Sequence, residues 1–224
     1  MSETIAVFGA TGGTGKHFLG FALKAGYKVQ AMVRSPSKVT EKSPNLTLIE
    51  GTFSDGDAIA KTLKGATCIV CMGGGPMTGW SKDYKPKDLM LNFVKTLIPL
   101  AKKESSIKVF LYQAGAFSAL PDGTLPMSMR IFRTVVGSWV MGLYPNFMDN
   151  EQIIKYVDGE KDSLPFKIII TRPGGLQEKE GGQELKASED PEMGFVAFKD
   201  LAAFNLKAMK DESLYGTYPF VKLA

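Results

Sequence analysis

Residues 5–17, IAVFGATGGTGKH, decide the fold of this chain. A short apolar run, Ile5 to Phe8, leads directly into glycines at Gly9, Gly12 and Gly15, and Gly20, Phe21, Ala22 and Leu23 follow at helical spacing. This is the order of a strand, a tight turn and a helix. The first glycine permits the turn off the strand, the next lets backbone approach a pyrophosphate, and the third lets the helix pack closely on the strand. The helix N-terminus then faces the phosphate with its free N–H groups. Gly9, Thr11, Gly12, Gly13, Thr14 and Gly15 are therefore read as the phosphate-binding residues.

The next strand decides which dinucleotide is selected. Gly26 and Tyr27 close the helix, and residues 28–33 (KVQAMV) read as the second strand. An acidic residue at the end of this strand would accept from a ribose 2′-OH, whereas an arginine accommodates a 2′-phosphate. Arg34 holds the position, Ser35 and Ser37 add hydroxyl donors, Lys38 adds a second cation, and no acidic residue lies between Gly26 and Thr40. The expected cofactor is NADP(H), with Arg34, Ser35 and Lys38 at the phosphate.

The rest of the chain alternates strands and helices, as a parallel sheet demands. Residues 46–50, 66–72, 107–112 and 166–171 read as further strands, and 217–221 as a last short one. Helices are expected over 57–64, capped by Ser54 or Asp55, and over 87–103 and 195–209. The predicted architecture is α/β, a Rossmann-type doubly wound parallel sheet with helices on both faces. One domain spans residues 1–224, with a small insertion, about 118–164, on the substrate side.

Ligands in such sheets bind outside the carboxyl ends of the strands. Thr52 and Phe53 are accordingly placed near the adenine, and Met72, Gly73 and Gly74 near its ribose. Ala114 and Gly115 are placed at the nicotinamide ribose, and Pro173, Gly174 and Gly175 beside the nicotinamide.

Composition bounds the partners. The 224 residues carry a net charge of +4 with Lys and Arg spread along the chain, so nothing argues for nucleic acid. Cys68 and Cys71 share one strand at an odd offset, which points them to opposite faces and argues against a metal or redox pair. No metal site is expected. The chain opens directly into its first strand, which reads as cytoplasmic, or organellar after removal of a transit peptide. Residues 127–148 are rich in Met, Phe, Trp and Tyr, but the uncharged run 134–148 falls short of the ~20 apolar residues needed to span a bilayer. Such a segment suits a pliable pocket over a small apolar or aromatic substrate, and equally a helix on the core or a dimer interface. A monomer or homodimer is expected.

The pattern GATGGTG, with glycines spaced G-x-x-G-x-x-G, resembles the atypical and extended branch of the short-chain dehydrogenase/reductase superfamily. Arg172-Pro173-Gly174-Gly175-Leu176 is similar to the pattern after a late strand in that branch, which includes the NmrA-like redox sensors. Ala25-Gly26-Tyr27, Val33-Arg34-Ser35 and residues 211–219 (DESLYGTYP) extend the resemblance to the NADPH-dependent flavin reductase and biliverdin-IXβ reductase group. The resemblance implies cofactor binding and, with it, an NADPH-dependent oxidoreductase.

The chemistry is less legible. Most members of the superfamily use a Tyr-x-x-x-Lys pair as proton donor. Tyr84, Tyr112, Tyr144 and Tyr156 are followed four residues on by Asp88, Ala116, Met148 and Glu160. Gly115 stands where the flavin and biliverdin reductases carry a serine, and Ser118 is the nearest hydroxyl. Hydride transfer does not strictly need a protein acid, since a flavin or quinone accepts hydride at an electron-poor site and takes its proton from water. If a side chain assists, Gln113 and Tyr144 are the candidates, with Asp149 and Glu151 behind them. Two other readings stand beside the reductase: a non-catalytic NADP(H) sensor acting through a protein partner, and an NADP-dependent isomerase or epimerase.

Overall fold

The computed structural model describes residues 3–74, 88–137, 144–192 and 194–224, without the side chains of residues 136, 137 and 144–146. Strand β1 (Thr4–Phe8) is followed by α1 (Gly13–Lys24), β2 (Lys28–Val33), β3 (Leu46–Glu50), α2 (Gly56–Leu63) and β4 (Cys68–Cys71). Then come α3 (Leu89–Ala101), β5 (Val109–Gln113), α4 (Met127–Phe132), a π-helical turn (Arg133–Gly137) and α5 (Tyr144–Glu160). The chain ends with β6 (Lys167–Pro173), β7 (Gly175–Gln177), β8 (Leu185–Ser188), β9 (Phe195–Ala197), α6 (Phe198–Ala208) and β10 (Phe220–Leu223).

Among the described residues one sheet runs in the order β3-β2-β1-β4-β5-β6-β10-β8, and β7 pairs with β9 in a separate ribbon. All neighbours in the large sheet are parallel except β8, which runs antiparallel to β10 at the edge. The order reverses between β1 and β4, so the crevice outside their carboxyl ends is the topological switch point. The doubly wound Rossmann-type architecture is therefore as the sequence predicts.

Central strands are buried on both faces and read as continuous apolar runs. One face carries Ala6, Phe8, Ile69, Phe110 and Tyr112 against α2, α3 and α5. The other carries Ile5, Val7, Val70 and Leu111 against α1 and α6. Cys68 lies on the second face and Cys71 on the first, as their odd offset requires. Both are free thiols, and burial pushes the Cys71 thiol up to about 12, so neither is poised for redox work.

Two segments differ from the sequence expectation. Within 118–164, residues 144–160 form a helix of the main layer, whose Ile153, Ile154 and Val157 are buried in the core beside α3. The predicted helix over 195–209 begins instead as β9, because Phe195, Val196 and Ala197 pair with Gly175, Leu176 and Gln177 before the helix starts at Phe198. Asp55 does cap α2, its carboxylate accepting from the Ala58 N–H at 3.0 Å. No described helix is long and apolar enough to cross a membrane.

Candidate functional site

The glycine turn is built by close approach of backbone to backbone. Gly9 has φ +86°, a conformation that glycine adopts without strain, and a Cβ there would sit 2.6 Å from the Gly73 amide nitrogen. Gly15 packs so tightly under the turn that a Cβ would meet the Gly9 carbonyl oxygen at 2.0 Å. Gly13 lies beneath the Phe198 ring, 2.7 Å from where its Cβ would be. Gly12 is different. It is exposed, its extended backbone suits any residue, and a Cβ would touch only the Gly9 oxygen at 3.4 Å. Three glycines of the turn are required by the protein's own packing, whereas at Gly12 the space is kept open toward solvent.

The N-terminus of α1 opens into the same space. Gly12 caps it without a side-chain hydrogen bond, and its first turn holds no acidic residue. Uncapped N–H groups and the positive end of the helix dipole favour an anion there. Thr11 is exposed at the tip, while Thr14 is buried. At the end of β2, Arg34 is exposed and makes no ion pair or hydrogen bond with any described residue. Lys38 is likewise exposed, and Ser35 caps a short 3-10 turn through its carbonyl, which accepts from the Lys38 N–H at 3.0 Å, while its hydroxyl makes no cap bond. These donors are open to solvent on the side of the switch point.

The strand ends divide into open and occupied positions. A Cβ on Gly74 or Gly115 would meet no described atom within 4 Å, so both leave room among the described residues above the sheet. Phe53 is turned inward, its ring 4.8 Å from that of Phe93 and pressed under Gly73, while Thr52 remains exposed. Met72 is buried. The Ala114 and Ala116 N–H groups donate to the Thr171 and Pro173 carbonyls at 2.8 Å, which extends the β5–β6 ladder past the sheet and fixes Gly115 between them. Gly174 lies against the Gly194 carbonyl, and Gly175 against the Phe195 ring.

Gln113, weighed as a substrate contact, is tied down at both ends. Its amide nitrogen points to Thr14 Oγ1 at 3.4 Å, and its oxygen accepts from Asn205 at 3.1 Å. It thus links α1, β5 and α6 beneath the glycine turn. Tyr144 opens α5, and its side chain lies outside the described residues, as does Tyr84. Asp149 is engaged in the fold: its two oxygens accept from the Met90 and Leu91 N–H groups, each at 3.0 Å, and so cap α3 from a neighbouring helix. Burial pushes its carboxyl up, against those two hydrogen bonds. Glu151 is a structural tie as well. It accepts from Arg133 at 2.7 Å, Lys155 at 3.3 Å and the Ala119 N–H at 3.4 Å.

Ser118 is fully buried, and its hydroxyl points to the Phe147 carbonyl rather than to the strand ends. A Tyr-x-x-x-Lys spacing does occur at Tyr218–Lys222, but Lys222 lies on β10. No described hydrogen bond joins that lysine to the phenol, which donates to Asp158 instead. Burial and the 2.7 Å bond to Asp158 also push the Tyr218 phenol well above its usual range. Arg172, 3% exposed, stacks 3.8 Å over Phe220 and donates to the Tyr218 carbonyl at 2.8 Å. Burial alone pulls its guanidinium down to about 10.

Glu151→Ala is expected to cost about 1–3 kcal/mol of stability, the range for removing one side of a buried hydrogen-bonded group. Burial pushes this carboxyl up, but its bonds to Arg133 and Lys155 outweigh that and hold it below the usual range. The stabilisation is therefore present above the unfolded carboxylate pKa and is lost as pH falls through the folded one. Thermal melts of both proteins from neutral to acid pH should converge; a constant gap would remove Glu151 from the account.

Comparison with known proteins agrees with this geometry. The chain is 25% identical over 225 residues to oxidoreductase GME11367 of Pestalotiopsis microspora, covering 93% of this chain and 80% of that protein. It is 23% identical over 219 residues to averufin oxidase A of Aspergillus flavus, covering 89% and 75%. Among solved structures, the anaerobilin reductase ChuY of Escherichia coli superposes with a TM-score of 0.72 at 19% identity, over 98% of this chain and 96% of that one. Yeast methylglyoxal/isovaleraldehyde reductase Gre2 in complex with NADPH gives 0.69 at 16%, over 97% and 76%. The two solved structures share the fold. A family profile described as NAD(P)H-binding matches residues 9–212, from the first glycine of the turn to beyond α6, and the chain belongs to that family.

Proposed function

We propose that this protein is an NADP(H)-dependent oxidoreductase that passes hydride to a small, flat, apolar acceptor such as a flavin, quinone or conjugated carbonyl. The observation that carries the cofactor choice is Arg34, exposed and unpaired among the described residues at the end of β2, with Lys38 beside it and no carboxylate in the turn. The oxidoreductase reading rests on the NAD(P)H-binding family and on a relative named as an oxidoreductase, of which the chain covers 80%.

When bound, the nicotinamide supplies the hydride. The chain's own residues do the rest. The α1 N-terminus and Gly12 seat the pyrophosphate, Arg34 forks onto the 2′-phosphate, and the open backbone at Gly74 and Gly115 lets the rings lie close to the sheet. Asn205 and Gln113 hold α1 and β5 in register beneath it. Proximity in such a site supplies a large share of the acceleration. Electron-poor acceptors take their proton from water.

The direct test mixes the protein with NADPH and a panel of quinones and flavins and follows the loss of nicotinamide absorbance. Turnover supports the reductase. Tight NADPH binding with no turnover across the panel would support a sensor instead, for which the exposed stripe Met127, Ile131 and Val135 on α4 and the π-helical turn is the favouring observation. With no lysine-activated phenol, the rate should show no steep limb between about pH 6 and 9, and Tyr144→Phe should cost less than ~100-fold in kcat, the low end for general acid–base catalysis. A loss of a thousandfold with cofactor binding intact would make Tyr144 the proton donor.

A further inference from the structure

The β7–β9 ribbon carries a side chain that cofactor binding leaves unused. Gly175 and Phe195 are register partners in it. A Cβ on Gly175 would lie 2.5 Å from the Phe195 ring, so the ring rests directly over the glycine. Side chains alternate along a strand. Leu176 and Val196 point into a small core with Leu201 and Val221, which leaves Phe195 on the opposite face, 64% exposed.

The ribbon is anchored at both ends. On one side the Gly175 N–H donates to the Gly194 carbonyl at 2.8 Å. On the other, Glu178 accepts from Lys16 at 2.9 Å and lies 3.4 Å from His17, both on α1. Phe198, the residue after β9, packs on Gly13 of the phosphate turn. The ribbon therefore bridges the carboxyl end of β6 and the start of α1. Ligands of such sheets lie outside the carboxyl ends of the strands, which is the side on which this ribbon stands. A lone exposed aromatic on a protein surface is ordinary. This one is seated by cross-strand register over a glycine, where a Cβ would displace the ring, which makes it a platform beside the site.

We propose that Phe195 is a specificity-determining residue, its ring forming the wall on which a planar conjugated acceptor stacks. The inference rests on the reductase reading above and narrows its substrate class. An aromatic ring prefers an offset or edge-on partner ring, and such a pair gains more than its buried area alone. A branched aliphatic aldehyde offers no such face.

The test compares the wild-type protein with Phe195→Ala, Phe195→Leu and Phe195→Trp. It measures the affinity of flavin mononucleotide and of a naphthoquinone for the NADP⁺-loaded protein, together with KM and kcat for both and for a branched aliphatic aldehyde. Phe195→Ala and Phe195→Leu should weaken binding and raise KM for the planar acceptors about tenfold, the scale of one lost aromatic stack with its buried area. NADPH affinity, kcat, aldehyde KM and melting temperature should stay near the wild-type values, and Phe195→Trp should restore the planar acceptors. Unchanged planar-acceptor affinity in Phe195→Ala overturns the proposal, as does an equal loss for the aldehyde or a parallel loss of NADPH affinity. If the wild-type protein binds the planar ligands through Phe195 without oxidising NADPH, the wall stands and the reductase reading falls. If it binds neither ligand, the wall falls, and the reductase reading falls with it only if no acceptor, the aldehyde included, oxidises NADPH.

Discussion

Valine at position 12 is expected to abolish dinucleotide binding while the fold survives. The backbone at Gly12 is extended, and a Cβ there would make an ordinary contact with the Gly9 oxygen at 3.4 Å. The protein therefore has room for the side chain, and the ligand does not. A branched group at this point would occupy the space in which the pyrophosphate meets the α1 N-terminus. Titration of Gly12→Val with NADPH should give no measurable binding at concentrations that saturate the wild-type protein, with circular dichroism and melting temperature close to wild type. Gly15→Ala is the contrast: its Cβ would stand 2.0 Å from the Gly9 oxygen, so binding and folding should fail together. Micromolar NADPH binding by Gly12→Val would place the cofactor elsewhere.

Arg34→Ala should weaken NADPH by a factor of roughly 10 to 150 and leave NADH nearly unchanged. That range corresponds to ~1.5–3 kcal/mol for hydrogen bonds to a charged group. The side chain is exposed and makes no described contact within the protein, so its removal should not alter the melting temperature. Arg34→Lys should recover only part of the loss, because an ammonium keeps the charge and loses the bidentate fork. Equal weakening of NADPH and NADH on titration would refute the 2′-phosphate assignment. High salt should also narrow the NADPH advantage, since the contact is exposed.

The exposed position of Arg34 contrasts with the fate of other polar residues read from the chain. Gln113 and Asp149 have the chemistry of site residues, and nothing in the order of residues distinguishes them from such. Their roles depend on what folding brings beside them. Asn205, ninety-two positions away, takes the Gln113 oxygen, and the amides of Met90 and Leu91 take both oxygens of Asp149. Helix α5 was hidden for a related reason. Its buried residues Ile153, Ile154 and Val157 are few and set among charged neighbours, while the richer apolar run just upstream drew the reading toward residues 127–148.

What the sequence determined by itself is local. The order apolar strand, spaced glycines and helix specifies the turn, because Gly9 and Gly15 answer clashes within the turn or with the adjoining strand end, although Gly13 answers the distant Phe198 ring. Strands β2 and β3 fall at residues 28–33 and 46–50 as read, since their apolar runs end in turn residues. The basic end of β2, and with it the expected choice of NADP(H), is equally local. Only the tertiary structure decided the β7–β9 ribbon. Strands of three residues carry too little period to announce themselves, and their pairing joins Gly175 to Phe195 across a twenty-residue gap. The same pairing turns Phe195 from the first residue of an expected helix into a ring laid over the RPGGL motif. Contacts that distant in the chain exist only once the sheet has closed the loop between them, so no reading of neighbours along the chain contains them.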